Sequence, residues 1–249
     1  LTLAMWVTYA VIYFLATRVF KKSPQDAAVL TLTVALPNYA ALGLPILGSV
    51  LGEGSSTSLS VAVSIACGSV LMTPFCLLIL EREKARAAGE NSGSTLAILP
   101  VLMWRSIKKP IVMGPLLGVI LSAIGIKMPE LVLAAIKPLG LSATAAALFL
   151  TGVILSARKL QINTMVITST IAKLLIQPAI AWGIVLIFGL HGSVAITAIL
   201  MIALSAGFFG VVFGNRFGVQ SPDAEAVLLL SSVLCILSLP LFISLTSGM

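Results

Sequence analysis

One apolar run in this chain cannot form the straight membrane helix that its length calls for. It reads Leu36-Pro37-Asn38-Tyr39-Ala40-Ala41-Leu42-Gly43-Leu44-Pro45-Ile46-Leu47, with two prolines, a glycine and an asparagine in its middle. A proline removes an amide donor and frees a carbonyl one turn back. In hydrocarbon such groups are tolerated only where protein or a water-filled cavity receives them. A helix broken at mid-membrane is therefore a candidate binding site. A second stretch, 202–215, contains Ala203-Leu204-Ser205-Ala206-Gly207-Phe208-Phe209-Gly210. It predicts a second break made by serine and glycine, with close helix packing as the competing use of the glycines.

The surrounding sequence supplies the membrane. Of 249 residues, 59% are hydrophobic and 9% charged, and the mean hydropathy is +1.15. Soluble domains carry about 25% charged residues. The chain is read as an all-α polytopic membrane protein. Eight spans, each near the roughly 20 residues that cross a bilayer, are expected at 1–20, 27–51, 59–80, 110–126, 131–156, 164–190, 193–213 and 224–245. The segment 95–106, ending near Trp104 and Arg105, is expected at the interface. Cys67, Cys76 and Cys235 lie in apolar runs and read as small buried hydrophobes. A single histidine, His191, excludes multi-histidine metal motifs, and no cofactor is expected. A membrane-embedded enzyme would need a nucleophile–base pair or a metal cluster, and neither is visible.

Basic residues set the orientation. Arg18, Lys21, Lys22, Arg82, Lys84, Arg86, Arg105, Lys108, Lys109, Arg158, Lys159 and Arg216 all fall in alternate loops, 12 of the 15 Lys and Arg. Those loops are therefore expected to be cytoplasmic. The net charge of +7 is this loop bias and implies no nucleic acid partner. Ser23-Pro24-Gln25-Asp26 and Ser221-Pro222-Asp223 open two spans with a serine cap, a first-turn proline and an acid near the positive dipole end. Capping is expected to be their whole role.

A faint repeat links the two ends of the chain. Ser69-Val70-Leu71 with Pro74-Phe75 answers Ser232-Val233-Leu234 with Pro240-Leu241-Phe242. Each set follows an interrupted span, and the two sets run in opposite directions. That is the arrangement of inverted-repeat transporters. It predicts ten helices in two sets of five, with two expected ahead of Leu1. By the helical rise, Asn38 lies about 16 Å and Ser205 about 18 Å from opposite faces. Both depths fall near the centre of a core about 30 Å thick.

Each break starts a half-helix whose free N–H groups and dipole favour an anion. The candidate substrate site is Pro37, Asn38, Tyr39, Gly43, Pro45, Lys173, Gln177, Ser205, Ala206 and Gly207. Lys173 lies about 14 Å deep by the same rise. No acid lies deep in any span, so either the substrate supplies its counter-charge or Lys173 snorkels or pairs with backbone carbonyls. Lys137, beside Pro138, is expected to snorkel outward. Ser64 and Ser69 are further candidates for a polar cavity. Gly48/Gly52 and Gly210/Gly214 match a helix-packing spacing.

These residues resemble the auxin efflux carrier family, which includes the plant PIN carriers and bacterial malonate transporters. The match is carried by Leu36-Pro37-Asn38, Gly43-Leu44-Pro45-Ile46-Leu47, Lys173 five residues before Pro178, and the stretch from Ala203 through Asn215-Arg216-Phe217-Gly218-Val219 to Pro240. Within the family the chain looks most like the malonate branch, through Asn38-Tyr39-Ala40 and Ser205-Ala206-Gly207-Phe208-Phe209. The resemblance implies the crossover fold of sodium–proton antiporters and bile-acid carriers. It implies a transport domain formed by 1–80 and 157–249, a cytoplasmic loop and interfacial segment at 81–109, scaffold helices at 110–156, and a homodimer. It further implies a carboxylate held near Asn38. Plant members carry proline in the second crossover, where this chain has Ser205, so that geometry does not transfer.

The expectation is thus a secondary transporter of a small organic anion, malonate or a related dicarboxylate, in the bacterial inner membrane. A proton or sodium ion would be the coupling partner. A cation exchanger of the same fold and a non-transporting sensor are the alternatives.

Overall fold

The computed structural model describes residues 1–52, 55–87, 104, 108, 110–126, 128–156 and 161–247. Among them the architecture is helical, and only one isolated β-bridge occurs outside the helices. Four helices are long and apolar enough to cross a membrane alone: Thr2–Val19, Leu59–Ala87, Thr164–Ile187 and Pro222–Thr246.

The first of these, α1 (Thr2–Val19), widens into a π turn at Leu15–Val19. The second helix, α2 (Pro24–Ala35), starts on the Ser23 cap, whose hydroxyl accepts the Asp26 N–H at 3.2 Å, with proline in its first turn. Every residue from Ala27 to Ala35 in α2 is buried. A helix apolar on all sides belongs in a core, and α2 packs against α1, α5, α10 and α11, defined below. Its chain then breaks, forms a π turn at Tyr39–Gly43, and resumes as α3 (Leu44–Leu51). Gly52, at φ 84°, closes α3 in the left-handed region that suits glycine.

Next come α4 (Ser55–Leu71) and α5 (Thr73–Ala87). The helix expected to end near residue 80 runs on through Ala87. Its polar end, Glu81-Arg82-Glu83-Lys84-Ala85-Arg86, consists of good helix formers, and Arg86 pairs with Glu83 one turn away at 3.7 Å. Hydropathy marks where the bilayer stops, and the helix does not stop there. Of the expected interfacial segment 95–106, only Trp104 is described, with the Lys108 ammonium 4.9 Å from its ring centre.

Two helices, α6 (Pro110–Ala123) and α7 (Glu130–Ser156), follow, with Pro138 inside α7 and Lys137 exposed. In α8 (Thr164–Ile187), Asn163 caps the start by accepting the Val166 N–H at 2.9 Å. A π turn at Ala172–Ile176 precedes Pro178, so the missing proline N–H falls where the helical ladder is already shifted. Then come α9 (Gly192–Ala203), a second break at 204–208, α10 (Phe209–Arg216) and α11 (Pro222–Thr246), which starts on the Ser221 cap.

The glycines of α10 explain its closeness to α2. A Cβ on Gly210 would overlap Val29 O and the Thr33 side chain, and one on Gly214 would meet the Val29 side chain at 3.0 Å. Small residues of this kind let helix backbones approach. The Gly210/Gly214 pair thus serves packing. Gly210→Val is expected to cost about 1–3 kcal/mol through overpacking, lowering the midpoint of thermal unfolding by several degrees. A Cβ on Gly183 would meet nothing within 4 Å, so Gly183→Ala is the silent control. Equal midpoints for the two variants would contradict the close approach.

Candidate functional site

The two breaks cross each other inside the bundle. Pro37 and Ala206 form an isolated antiparallel bridge. Asn38 N–H donates to Ser205 O at 3.0 Å, and Gly207 N–H donates to Thr33 O at 3.0 Å. Leu36 leaves the helix at φ −95°, ψ 107°, and Leu204 at φ −61°, ψ 159°. Extended backbone on both sides is what allows a sheet-like pair to form between two interrupted helices. Gly207 is required here, because a Cβ would overlap Leu36 O.

A half-helix ending in the interior leaves its last carbonyls without intrahelical partners, and each such group left unpaired carries a desolvation penalty. Neighbouring helices supply the donors. Thr33 O receives the Gly207 N–H, as above. Ala35 O receives the Gln177 side-chain amide at 2.8 Å. Ile202 O receives the Lys173 ammonium at 3.2 Å, and Ala203 O lies 3.8 Å from the Cys235 thiol. Lys173 also donates to Gln177 Oε1 at 2.6 Å. A lysine and a glutamine one turn apart on α8 thus span the carbonyl ends of α2 and α9. Cation near carbonyl end is the favourable dipole pairing.

Lys173 lies wholly inside the protein, so it does not snorkel, and two of its three N–H donors are held by Ile202 O and Gln177. Pairing with backbone carbonyls is the arrangement found.

The amide ends are arranged differently. The first helical bond of α10 is Val212 N–H to Phe208 O, so the N–H groups ahead of Val212 have no intrahelical acceptor. Ala206 N–H, just before them, donates to Ser231 Oγ of α11 at 3.1 Å. On the two breaks themselves, Asn38 Oδ1 and Ser205 Oγ are buried without a hydrogen-bond partner. Asn38 is 4% and Ser205 1% exposed.

The remaining candidates disperse. Tyr39 is buried, and its hydroxyl points to Met5 Sδ of α1 at 3.2 Å. Gly43 is buried against Val61 and Met201, whose side chains a Cβ would meet at 3.1 and 3.2 Å. Pro45 is exposed. Ser64 bonds its own helix, donating to Ser60 O at 2.8 Å, and the Ser69 side chain lies outside the described residues. The structure therefore brings together Pro37, Asn38, Ser205, Ala206 and Gly207 at the bridge and places Lys173 and Gln177 at the carbonyl ends. Ser231, which also holds the crossing, was not singled out by sequence, and Cys235 was read there only as a small buried hydrophobe. Among the described residues, no three His, Cys, Asp or Glu side chains gather as a metal site.

The four long apolar helices and two interrupted ones define an integral membrane protein of the transporter class. The family described as "Membrane transport protein", to which auxin efflux carriers belong, has a sequence profile that matches residues 1–243, and the chain belongs to it. The "Uncharacterized transporter YfdV" of Escherichia coli strain K12 is 25% identical over 231 residues, covering 93% of this chain and 72% of that protein. Proteins of the same description from Escherichia coli O157:H7 and Shigella flexneri match with the same identity and coverage.

Removing the Lys173 ammonium strands Ile202 O and one face of Gln177. Lys173→Met is expected to destabilise by about 1–3 kcal/mol. Near 2–4 °C per kcal/mol for a chain of this size, this is read as a lowered unfolding midpoint in detergent. With Gln177→Leu it should give a double-mutant coupling of about 0.5–3 kcal/mol. Strict additivity would contradict the shared network.

Proposed function

We propose that this protein is a secondary carrier of a small organic anion, malonate or a related dicarboxylate, by alternating access at the crossing of the two breaks. One observation carries the reading: the crossing is electrostatically one-sided. Its carbonyl ends are matched by Lys173, Gln177 and Cys235, while Asn38 Oδ1 and Ser205 Oγ, on the two breaks, are buried without a hydrogen-bond partner. An uncompensated positive dipole end in a buried setting suits a carboxylate. The Asn38 carboxamide offers two donors and an acceptor, and either end turns inward by a flip of the amide. A carboxylate takes the donors, and a protonated carboxyl takes the acceptor.

The arrangement is further read as an inverted repeat of ten helices in two sets of five. In it α1–α5 and α8–α11 form the moving unit, α6 and α7 belong to a scaffold, and two copies pair through that scaffold. The basic loops face the cytoplasm of a bacterial inner membrane, and a proton or sodium ion couples transport. A cation exchanger on this frame draws less support, since the side chains holding the crossing are a lysine, a glutamine, a serine and a cysteine. Ion relays use buried acids.

Labelled malonate uptake into proteoliposomes tests the reading. Asn38→Ala removes a partner worth about 1–3 kcal/mol, so apparent affinity should fall about five- to hundredfold. Unchanged KM and rate would remove Asn38 from the site. A wild-type protein that moves no mono- or dicarboxylate would reject the anion carrier.

A further inference from the structure

At the end of the bundle where Lys22 lies, three helix starts meet in one polar cluster. The Lys22 ammonium pairs with Asp223 at 2.5 Å and with Asp26 at 3.8 Å. Asn163 donates its side-chain N–H to Asp223 Oδ1 at 2.7 Å while its own oxygen caps α8. The Ser221 hydroxyl donates to Asp26 Oδ1 and caps α11 through the Ala224 N–H at 3.4 Å. Thus Asp26 of α2, Asn163 of α8 and Asp223 of α11 are each tied to another element. Two of these side chains were read from sequence as caps alone. The caps exist, but their acids also link helices about 60 and 195 positions apart in sequence.

This cluster is a joint buried on its α11 side and open on the other, where Asn163 is exposed. Ser221, Asp223 and Glu225 are each 3% exposed, while the Lys22 side chain is 30% exposed. Hydrogen bonding to Asp223, reinforced by the charges of Asp223 and Asp26, holds the Lys22 ammonium above the usual lysine value against the opposing effect of partial burial. Lys22 therefore stays charged throughout the neutral range. Three positive helix ends converge here, and the first-turn acids compensate them.

The same three helices hold the crossing. The α2 helix provides Thr33 O and Ala35 O, α8 provides Lys173 and Gln177, and α11 provides Ser231 and Cys235. Twelve residues of α2, about 18 Å by the helical rise, separate the joint from the bridge. That segment is buried from Ala27 to Ala35 and interrupted by no proline or glycine after its first turn, so a shift at its start is carried to Pro37 and Asn38.

We propose that the Lys22–Asp223 pair, with Asn163 and Ser221 around it, is the positioning element of the transport site, setting the mutual register of α2, α8 and α11 and thereby the geometry at the Pro37–Ala206 bridge. Lys22 and Asp223 touch no group of the crossing. They act through the helices they align. The uptake arm of the test rests on the anion-site reading above, and the exchange arm does not.

The whole chain is placed in lipid nanodiscs, and amide hydrogen exchange is followed by mass spectrometry for Lys22→Met, Asp223→Asn and Lys22→Arg. In the first two variants, peptides covering 36–42 and 204–210 should exchange several-fold faster, while those of α4 keep wild-type protection. Lys22→Arg should retain protection at both breaks. In proteoliposomes the first two variants should raise KM for malonate several-fold, and Lys22→Arg should not. Ser221→Ala, which removes one hydroxyl rather than a charge, is a milder variant for the same two peptides should a charge substitution prevent folding. Faster exchange confined to 22–28 and 221–227, with both breaks at wild-type protection, overturns the proposal. So does loss of protection in every helix alike. A wild-type protein that takes up no malonate removes the anion reading but leaves the exchange result to decide the positioning role.

Discussion

Two helices end in the middle of an apolar bundle, and the structure depends on how their last carbonyls are satisfied. No continuing helical turn is available to the carbonyls of Thr33, Ala35, Ile202 or Ala203. The bonds come from a backbone amide on the opposite break, from a lysine and glutamine on α8, and from a thiol on α11. An unpaired carbonyl in such a place costs a few kcal/mol, comparable with a large share of a domain's net stability. The crossing is therefore held by obligation, and substitutions around it act first on folding and then on function.

That arrangement also makes the interior electrically asymmetric. A buried lysine without a carboxylate partner is a costly group, and here it is stabilised by carbonyl dipoles and a side-chain amide. Two of its donors are taken up on the carbonyl side of the crossing. Asn38 Oδ1 and Ser205 Oγ, on the two breaks, stay without a hydrogen-bond partner. A distant second polar level, around Lys22 and Asp223, works in the opposite sense: acids there compensate converging positive helix ends. The two levels are joined by α2, α8 and α11.

The sequence exposed the first break fully, because proline and asparagine in an apolar run have few other readings. It exposed the second less sharply, since Ser205 and Gly207 also suit plain packing. The depth of Lys173 followed from the helical rise. Its acceptor did not, because Ile202 O is a backbone atom 29 residues away and carries no side-chain signature. Ser231 was hidden for a related reason. Serines in membrane helices commonly bond their own backbone, as Ser231 also does to Leu228 O, and only the fold reveals that it accepts Ala206 N–H. Asn163 carried no sequence reading, and both its cap on α8 and its bond to Asp223 needed the assembled bundle. The extension of α5 past Leu80 was missed because apolar patterning reports burial in lipid, whereas charged residues continue a helix into water.

The central claim is that an anion rests on the amide side of the crossing while Lys173 stays with the carbonyls. A structure determined with malonate bound tests it most directly. The account predicts carboxylate density within hydrogen-bonding distance of Asn38 and the start of α10, with the Lys173 contact to Ile202 O intact. Density on Lys173 with that contact broken, or an anion held away from both breaks, would contradict it.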